Sequence, residues 1–387
     1  MIHHVLRITG LFAAAVTIAG IAYYVVCIWS ARRFLQQAKR AKSFGGKGSY
    51  AVSILKPLKG TDPQMYENFR SHCLQDYPDY EIIFGVSDLN DPAADLVKKL
   101  QAEFPRREIR LVHCGQNLGS NTKVSNLVQM LGHARYEYLL VNDSDIRVPQ
   151  DYLRRVLAPL TDPNIGLVTC PYRGIANSTL GSQLEARGIS TDFLPGVLVA
   201  RNIEGMKFGL GSTLAFRRSD LQAVGGFEVF LDYLADDYYI GNRLAALGKE
   251  IELSNVVVES FLPRYTMRSF FEHQLRWART VKDVRRWGYL GLGITFVLPW
   301  AVLTVLLAGA AGWSWVLLAG ALMVRWTAAA YVSGQVLHDP QTKLLAWLPL
   351  RDTAAVLVWL ASFMGRTVNW RGDFFTLKDG KLARIGS

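Results

Sequence analysis

Two carboxylates one residue apart, Asp143 and Asp145, close the apolar run "LLVNDSDIRV". Like charges at that spacing repel, and burial makes both more unfavourable unless a cation or a set of donors compensates them. An isolated Asp-x-Asp is compatible with a solvated turn. After a strand it also suits a divalent cation, Mg²⁺ or Mn²⁺, held by few carboxylates with diphosphate oxygens completing the shell. Such a site would bind a nucleotide-sugar. Asp145 would hold the metal with Asp143 beside it, and Asp88, closing "YEIIFGVSD", would be placed to recognise the nucleoside. A phosphatase-type D-x-D-x-[TV] motif is disfavoured, because its fifth position here is Arg147.

Asp236 and Asp237 stand at the head of a helical pattern, "DDYYIGNRLAALG", whose apolar positions recur at Ile240, Leu244 and Leu247. Carboxylates in a first turn complement the positive end of the helix dipole. The competing reading is a general base, taking a proton from an acceptor hydroxyl near a sugar's anomeric carbon. In "SFFEHQLRWART", Ser269 and Glu272 have the spacing of a capping box. His273, Arg276 and Trp277 follow at i, i+3 and i+4, on one helical face. An Arg beside an indole could grip a diphosphate by forked donors and cover it with an aromatic plane. The same pair could anchor an amphipathic helix at a membrane surface.

The elements that must position these residues alternate. "YAVSILKPL", "YEIIFGVSD", "IRLVHCG" and "YEYLLVNDSD" read as strands, while "PAADLVKKLQAEF" and "KVSNLVQMLGHA" have helical spacing. Alternation of this kind predicts an α/β fold with a mainly parallel sheet flanked by helices. Ligands of open parallel sheets sit beyond the carboxyl ends of the strands. Asp88, Asp143 and Asp145 fall at such ends, so acidic residues from two strands are expected on one edge.

Hydrophobicity and charge are unevenly placed in the 387 residues, which carry net charge +11. Residues 9–29 hold no charge and are long enough to cross a bilayer, with no small-residue cleavage site after them. Six basic residues follow (Arg32, Arg33, Lys39, Arg40, Lys42, Lys47), and the positive-inside rule places the next domain in the cytoplasm. The basic excess thus reads as attraction to an inner (plasma) membrane, and no nucleic acid partner is expected. Four scattered cysteines without a CxxC pair are expected as free, buried thiols. The apolar run after Gly288 predicts spans at about 291–309 and 313–336, broken at Gly309–Gly312, with Arg325 needing a polar partner. Residues 344–364 contain Pro349, Arg351 and Asp352 and precede a basic tail, which argues for an interfacial or re-entrant segment. The expected organisation is an anchor at 1–31, a basic linker at 32–49, a catalytic domain at 50–288, and a C-terminal membrane region with its tail at 289–387.

The order and spacing of these motifs, with "SILKPLKG", "NTKVSNLVQM", "NDSDIRVPQDYL", "GLGSTLAFRRSDLQAVGGF", "LADDYYIGNRLAALG" and "HQLRWART", resemble the ceramide-glucosyltransferase family of GT-A glycosyltransferases, family 21, over about 50–290. The stretch "RGISTDFLPGVLVARNIEGMKFGLGSTLAFRR" is most similar to the bacterial hopanoid-biosynthesis branch. The resemblance implies a GT-A-type sheet with transmembrane helices at both ends, and a UDP-sugar donor. It implies Asp88 at the uridine, Asp145 and Asp143 at the metal, Asp237 as catalytic base with Asp236 as its acidic neighbour, and Arg276 and Trp277 at the diphosphate. Where the family has Gln or Arg three residues before that Arg, this chain has His273, with Gln274 adjacent. The implied reaction is inverting transfer from a UDP-sugar to a membrane lipid alcohol, N-acetylglucosamine onto a hopanoid by preference. The alternatives are glucose onto ceramide, a processive polysaccharide synthase, and an inactive lipid-binding membrane protein.

Overall fold

The structure, a computed structural model, describes residues 2–41, 50–370 and 373–384. Lys42 and Lys47 of the basic linker and Arg371 of the tail lie outside them. The chain divides into two units, one comprising 1–37, 178–203 and 265–379, the other 38–177, 204–264 and 380–387.

The second unit is built on β-strands β1 (Val52–Leu58), β2 (Tyr80–Val86), β3 (Glu108–His113), β4 (Tyr138–Val141), β5 (Ile146–Arg147), β6 (Ile165–Thr169), β7 (Tyr172–Ile175), β8 (Leu214–Arg217), β9 (Glu250–Leu253) and β10 (Val258–Phe261). Seven of them form one sheet in the order β3-β2-β1-β4-β8-β6-β9. β1 pairs in parallel with β2 and β4, β2 with β3, and β6 with β9, while β8 runs antiparallel to β4 and β6. Every residue of β1 and β2 is buried, as expected of strands covered by helices on both faces. Those helices include Pro92–Glu103, capped by Asp91 on Ala93 N, and Thr122–Leu131, capped by Asn121 on Val124 N. The expected alternation and the mainly parallel sheet are therefore present. A smaller sheet, β5-β10-β7, sets Ser260 of β10 opposite Ile146 of β5.

In the first unit the helix Ile2–Ala41 carries an apolar stretch, Leu6–Lys39, long enough to cross a bilayer. Gly312–Val336 and Leu345–Ser362 also meet that length and composition. Residues 344–364, expected as interfacial or re-entrant, thus include a continuous helix, because Pro349 sits in its first turn, where a missing N–H is tolerated. The span expected at 291–309 is instead two helices, Arg286–Thr295 and Val297–Leu307, bent by 54°. Chain reversal beyond them falls at Gly309 and Ala310, both at positive φ. Tyr24, Cys27, Val297, Leu298, Ala301, Ala321 and Ala328 pack as a core within this unit. Arg325, fully buried, finds the polar partners its position demands, with Nη2 2.6 Å from Asp352 and 2.8 Å from Asp192. All four cysteines are buried and free.

Two local expectations are corrected. The helix Met267–Val284 is capped by Thr266, whose hydroxyl accepts from Ser269 N at 3.1 Å, while Glu272 pairs with Arg268. Thr266 has the extended backbone a cap requires, so Ser269 already lies inside the helix. Leu247, expected on the core face of Asp236–Ala246, is 56% exposed, because the helix ends one residue before it.

Candidate active site

The carboxyl ends of β1, β2 and β4 lie on one sheet edge because all three strands are parallel. Asp88 follows β2 and Asp143 follows β4, one on each side of β1. Across β1, Val141 is level with Ile83, so Asp88 leaves the sheet three residues further along the strand direction than Asp143. Asp88 is exposed, and its Oδ1 accepts from Asn90 N at 2.9 Å, which leaves the carboxylate on a turn open to solvent. Sequence reasoning placed these two residues on one edge, and the sheet topology agrees.

Beneath the Asp-x-Asp turn lies a polar floor. Lys56, fully buried at the end of β1, donates to the carbonyl of Asp143 at 3.0 Å. Burial lowers its ammonium to about 7, against the pull of Asp143 and Asp145. Asn142 Nδ2 donates to the carbonyl of Ser212 at 2.7 Å and to Tyr152 Oη at 2.9 Å, tying β4 to the loop before β8. Ser144 donates to Asp62 from the loop after β1. Asp145 Oδ2 accepts from Ser260 Oγ at 2.5 Å, and the Asp145 carbonyl accepts from Phe261 N at 3.1 Å. These bonds hold both sides of the turn to elements distant in sequence.

Asp236 and Asp237 open the helix Asp236–Ala246, as expected, and the fold brings them to Asp143. Lys123 makes the connection. Its Nζ is 2.9 Å from Asp143 Oδ1 and 3.3 Å from Asp236 Oδ2. Burial would lower the lysine, but Asp143, Asp236 and Asp237 together raise it above its ordinary value, so it is a fixed cation. Gly211 marks a second meeting point. A Cβ built there would lie 3.2 Å from Asp143 Oδ2 and 3.2 Å from Asp237 Oδ2. Two carboxylate oxygens from separate elements therefore border a space that only glycine leaves open.

Burial, and after it the neighbouring Asp143, raise the Asp145 carboxyl to about 7. Burial, and after it Asp236, raise Asp237 to about 7 against the opposing charge of Lys123. Burial also raises Asp236. Among the described residues no cluster of three or more His, Cys, Asp or Glu side chains is disposed around a metal position. The donor set instead fits a cation bound by one or two carboxylates and completed by phosphate oxygens. A carboxyl held near 7 by burial and a like charge gains most from such a cation.

The remaining predicted residues lie in the other unit, on the helix Met267–Val284. His273 and Trp277 are neighbours on one face, ring centroids 6.1 Å apart, as the spacing implies. Trp277 also meets Phe193 edge to face at 5.7 Å. Gln274 Nε2 donates to the buried Glu185 at 2.7 Å, and Arg276 is partly buried on the same helix. Sequence reasoning missed Lys123, Gly211, Ser260 and Glu185. Lys123 alone carried a local signal, since a cation in a helix's first turn opposes the dipole and needs compensating carboxylates.

Comparison with known proteins covers nearly the whole chain. Residues 12–383 match the model of Glycosyl transferase family 21, well beyond the expected 50–290. Ceramide glucosyltransferase 3 of Caenorhabditis elegans is 25% identical over 97% of this chain and 83% of its own length. Ceramide glucosyltransferase 1 of the same organism is 24% identical over 86% and 73%. In fold, the chain is similar to a mannosyltransferase from Pyrobaculum calidifontis solved with GDP-Man and Mn²⁺. That likeness has a TM-score of 0.50 at 20% identity, over 89% of this chain and 99% of the other. With a GT-A sheet, carboxylates gathered at its carboxyl edge and a family match over residues 12–383, this chain belongs to glycosyl transferase family 21 and is a glycosyltransferase.

Proposed function

We propose that the protein transfers a hexose from a UDP-sugar to the hydroxyl of a membrane lipid, with UDP-glucose and a ceramide-type acceptor as the best-supported pair. The observation that carries the site reading is the approach of Asp143 Oδ2 and Asp237 Oδ2 to one point at Gly211. It supports a donor-binding carboxylate and a base acting on the same substrate. The relatives reported above are ceramide glucosyltransferases. They favour the sphingolipid acceptor over N-acetylglucosamine transfer to a hopanoid, the first expectation from sequence.

In this reading Asp88 accepts from the uracil or ribose of the donor, and Asp143 and Asp145 would hold a divalent cation. That cation would supply charge neutralisation for the diphosphate. Ionised Asp237 takes the proton of the acceptor hydroxyl as its oxygen attacks the anomeric carbon from the face opposite UDP. The bond from C1 to the diphosphate oxygen breaks, the bond to the lipid oxygen forms, and UDP leaves with the electron pair. An α-linked donor thus yields a β-linked glycolipid. Lys123 sets one positive charge between Asp143 and Asp236.

Purified protein in nanodiscs, offered UDP-glucose or UDP-N-acetylglucosamine with ceramide or a hopanoid alcohol, tests this directly. One glucose added to ceramide is expected. Transfer only of N-acetylglucosamine to the hopanoid would restore the other acceptor, and a polymer would indicate a processive synthase. A cytoplasmic position of the nucleotide-binding unit at the inner membrane belongs to the same proposal, supported by the basic residues after the first span. A cysteine replacing exposed Lys98 should react only with reagents reaching the cytoplasmic side, and the native thiols, all buried, contribute little background.

A further inference from the structure

Asp339 is the hub of a buried polar set within the membrane-helix unit. It is 4% exposed and follows the π-helical turn Val332–Val336. Its Oδ2 accepts from Arg187 Nη2 at 2.5 Å and its Oδ1 from Gln341 N at 2.9 Å, while its own N–H donates to the carbonyl of Ser333 at 2.9 Å. Each of the three residues it holds keeps a buried polar atom with no hydrogen-bond partner among the described residues. These atoms are Nε and Nη1 of Arg187, Oγ of Ser333 and Oε1 of Gln341. Arg187 and Ser333 are fully buried.

The neighbouring hydroxyls are satisfied, so the deficit is local. On a second π-helical turn, Ile189–Phe193, Ser190 and Thr191 donate to the carbonyls of Ala186 and Arg187 at 2.9 and 2.7 Å. The two π-helical turns pack against each other. Such turns are rare and concentrate at functional sites, as do polar groups among membrane-spanning helices. Buried donors and acceptors left unpaired are unfavourable, and a ligand that pairs with them binds with that gain.

Charge selects the ligand. Arg187 is matched by Asp339, and Arg351, which packs against Gly188 beside it, is matched by Asp192 at 3.1 Å. Neither guanidinium therefore brings surplus positive charge for a phosphate. The unused N–H donors, hydroxyl and amide oxygen suit an uncharged ligand with oxygen acceptors and a hydroxyl or amide donor. Ser333 lies in Gly312–Val336, a segment long and apolar enough to cross a bilayer, so the ligand at hand is a lipid.

We propose that Arg187, Ser333 and Gln341, held by Asp339, bind the uncharged, hydroxyl-bearing head group of a membrane lipid. Arg187 Nε and Nη1 donate to head-group oxygens, and Gln341 Oε1 accepts from a hydroxyl or amide. Ser333 Oγ serves in either sense. The transferase reading makes this lipid the sugar acceptor, but its binding does not require transfer. Ceramide and a hopanoid alcohol share the required chemistry. Phosphatidylglycerol, hydroxylated but anionic, does not fit.

The full chain in phosphatidylcholine nanodiscs, doped with each lipid in turn and given no sugar nucleotide, tests this through its melting temperature. A saturable rise with ceramide or with the hopanoid alcohol is expected and identifies the source, with no rise for phosphatidylglycerol. Ser333→Ala should need at least about threefold more lipid for half the effect. Without added lipid it should melt no lower than the wild type, because the hydroxyl it removes has no partner. A residue serving packing alone would give the opposite pair of results. Arg187→Lys keeps a cation for Asp339 but loses the forked donors, so at least about tenfold more lipid is expected. A wild-type lipid response in both variants, an equal response to phosphatidylglycerol, or no response to either neutral lipid would each overturn the proposal. Lower melting of lipid-free Ser333→Ala with an unchanged lipid response would assign these groups to internal water and overturn it as well. A wild type that responds to ceramide but transfers no sugar would refute the transferase reading and leave this site standing.

Discussion

Lys123 Nζ lies 2.9 Å from Asp143 Oδ1, joining the first turn of the helix Thr122–Leu131 to the second residue beyond β4. The lysine also faces Asp236, so one ammonium serves two carboxylates that approach a third, Asp237. Lys123→Met removes that charge and leaves the acidic cluster facing the donor diphosphate. Turnover is expected to fall by about a hundredfold or more with a rise in donor KM, on the scale of lost buried charge pairs. Lys123→Arg should recover part of it. A Met variant with near-normal kcat would remove the lysine from the mechanism.

Asp237→Asn should separate chemistry from stability. Turnover falls by a general-base factor of about 10² to 10⁴, while donor KM changes little. Because the folded-state carboxyl titrates at about 7, above its ordinary value of about 4, the folded protein binds the proton more tightly than the unfolded chain. Its contribution to stability is full below about pH 4 and is lost as pH rises towards 7. Ligand-free wild type should therefore lose stability from this group between those values, and the Asn variant should melt higher at about pH 8. If the two aspartates served only the helix dipole, the variant would melt slightly lower and remain active. Wild-type kcat should also decline as pH falls below about 7, where the base becomes protonated.

Gly211→Ala adds a methyl group 3.2 Å from both Asp143 Oδ2 and Asp237 Oδ2. Both carboxylates must shift by a few tenths of an ångström, and catalytic geometry is sensitive on that scale. A fall in kcat of about tenfold or more is expected, with a melting temperature near that of the wild type. Unchanged kinetics would place the acceptor and donor away from this point.

Activity should disappear on EDTA treatment and return with Mg²⁺ or Mn²⁺, because Asp143 and Asp145 otherwise meet a diphosphate of like charge. Asp145→Ala should not be rescued by either ion. Full activity of that variant in metal-free buffer would exclude the cation from the donor site.

In the membrane-helix unit Arg325→Leu removes the cation shared by Asp192 and Asp352, leaving Asp192 paired with Arg351. The loss should be about 3–5 kcal/mol, the scale of a broken buried pair, and should appear as lower extracted yield and melting temperature. Arg325→Leu with Asp352→Leu should be less damaged than the single change. Equal damage in both would show that the charges are not coupled.

Much of the architecture was written locally. Continuous apolar runs bounded by turns marked β1 to β4, and the strand-to-loop changes after them put Asp88, Asp143 and Asp145 on the correct edge. The pattern from Asp236 marked its helix, and length with apolarity marked the membrane-spanning candidates Leu6–Lys39 and Gly312–Val336. These signals depend on periodicity and on chain reach, which neighbouring residues carry by themselves.

Other features depended on packing. The cap at Thr266 in place of Ser269, and the continuous helix through Pro349, were decided by which backbone groups found partners. Lys123 between Asp143 and Asp236, Gly211 against Asp143 and Asp237, Ser260 on Asp145, and Glu185 beside His273 unite residues far apart in the chain. No local period encodes such meetings. They follow from strand order and helix docking, which bring together side chains whose charge is tolerable in burial only when a partner is supplied from elsewhere in the fold.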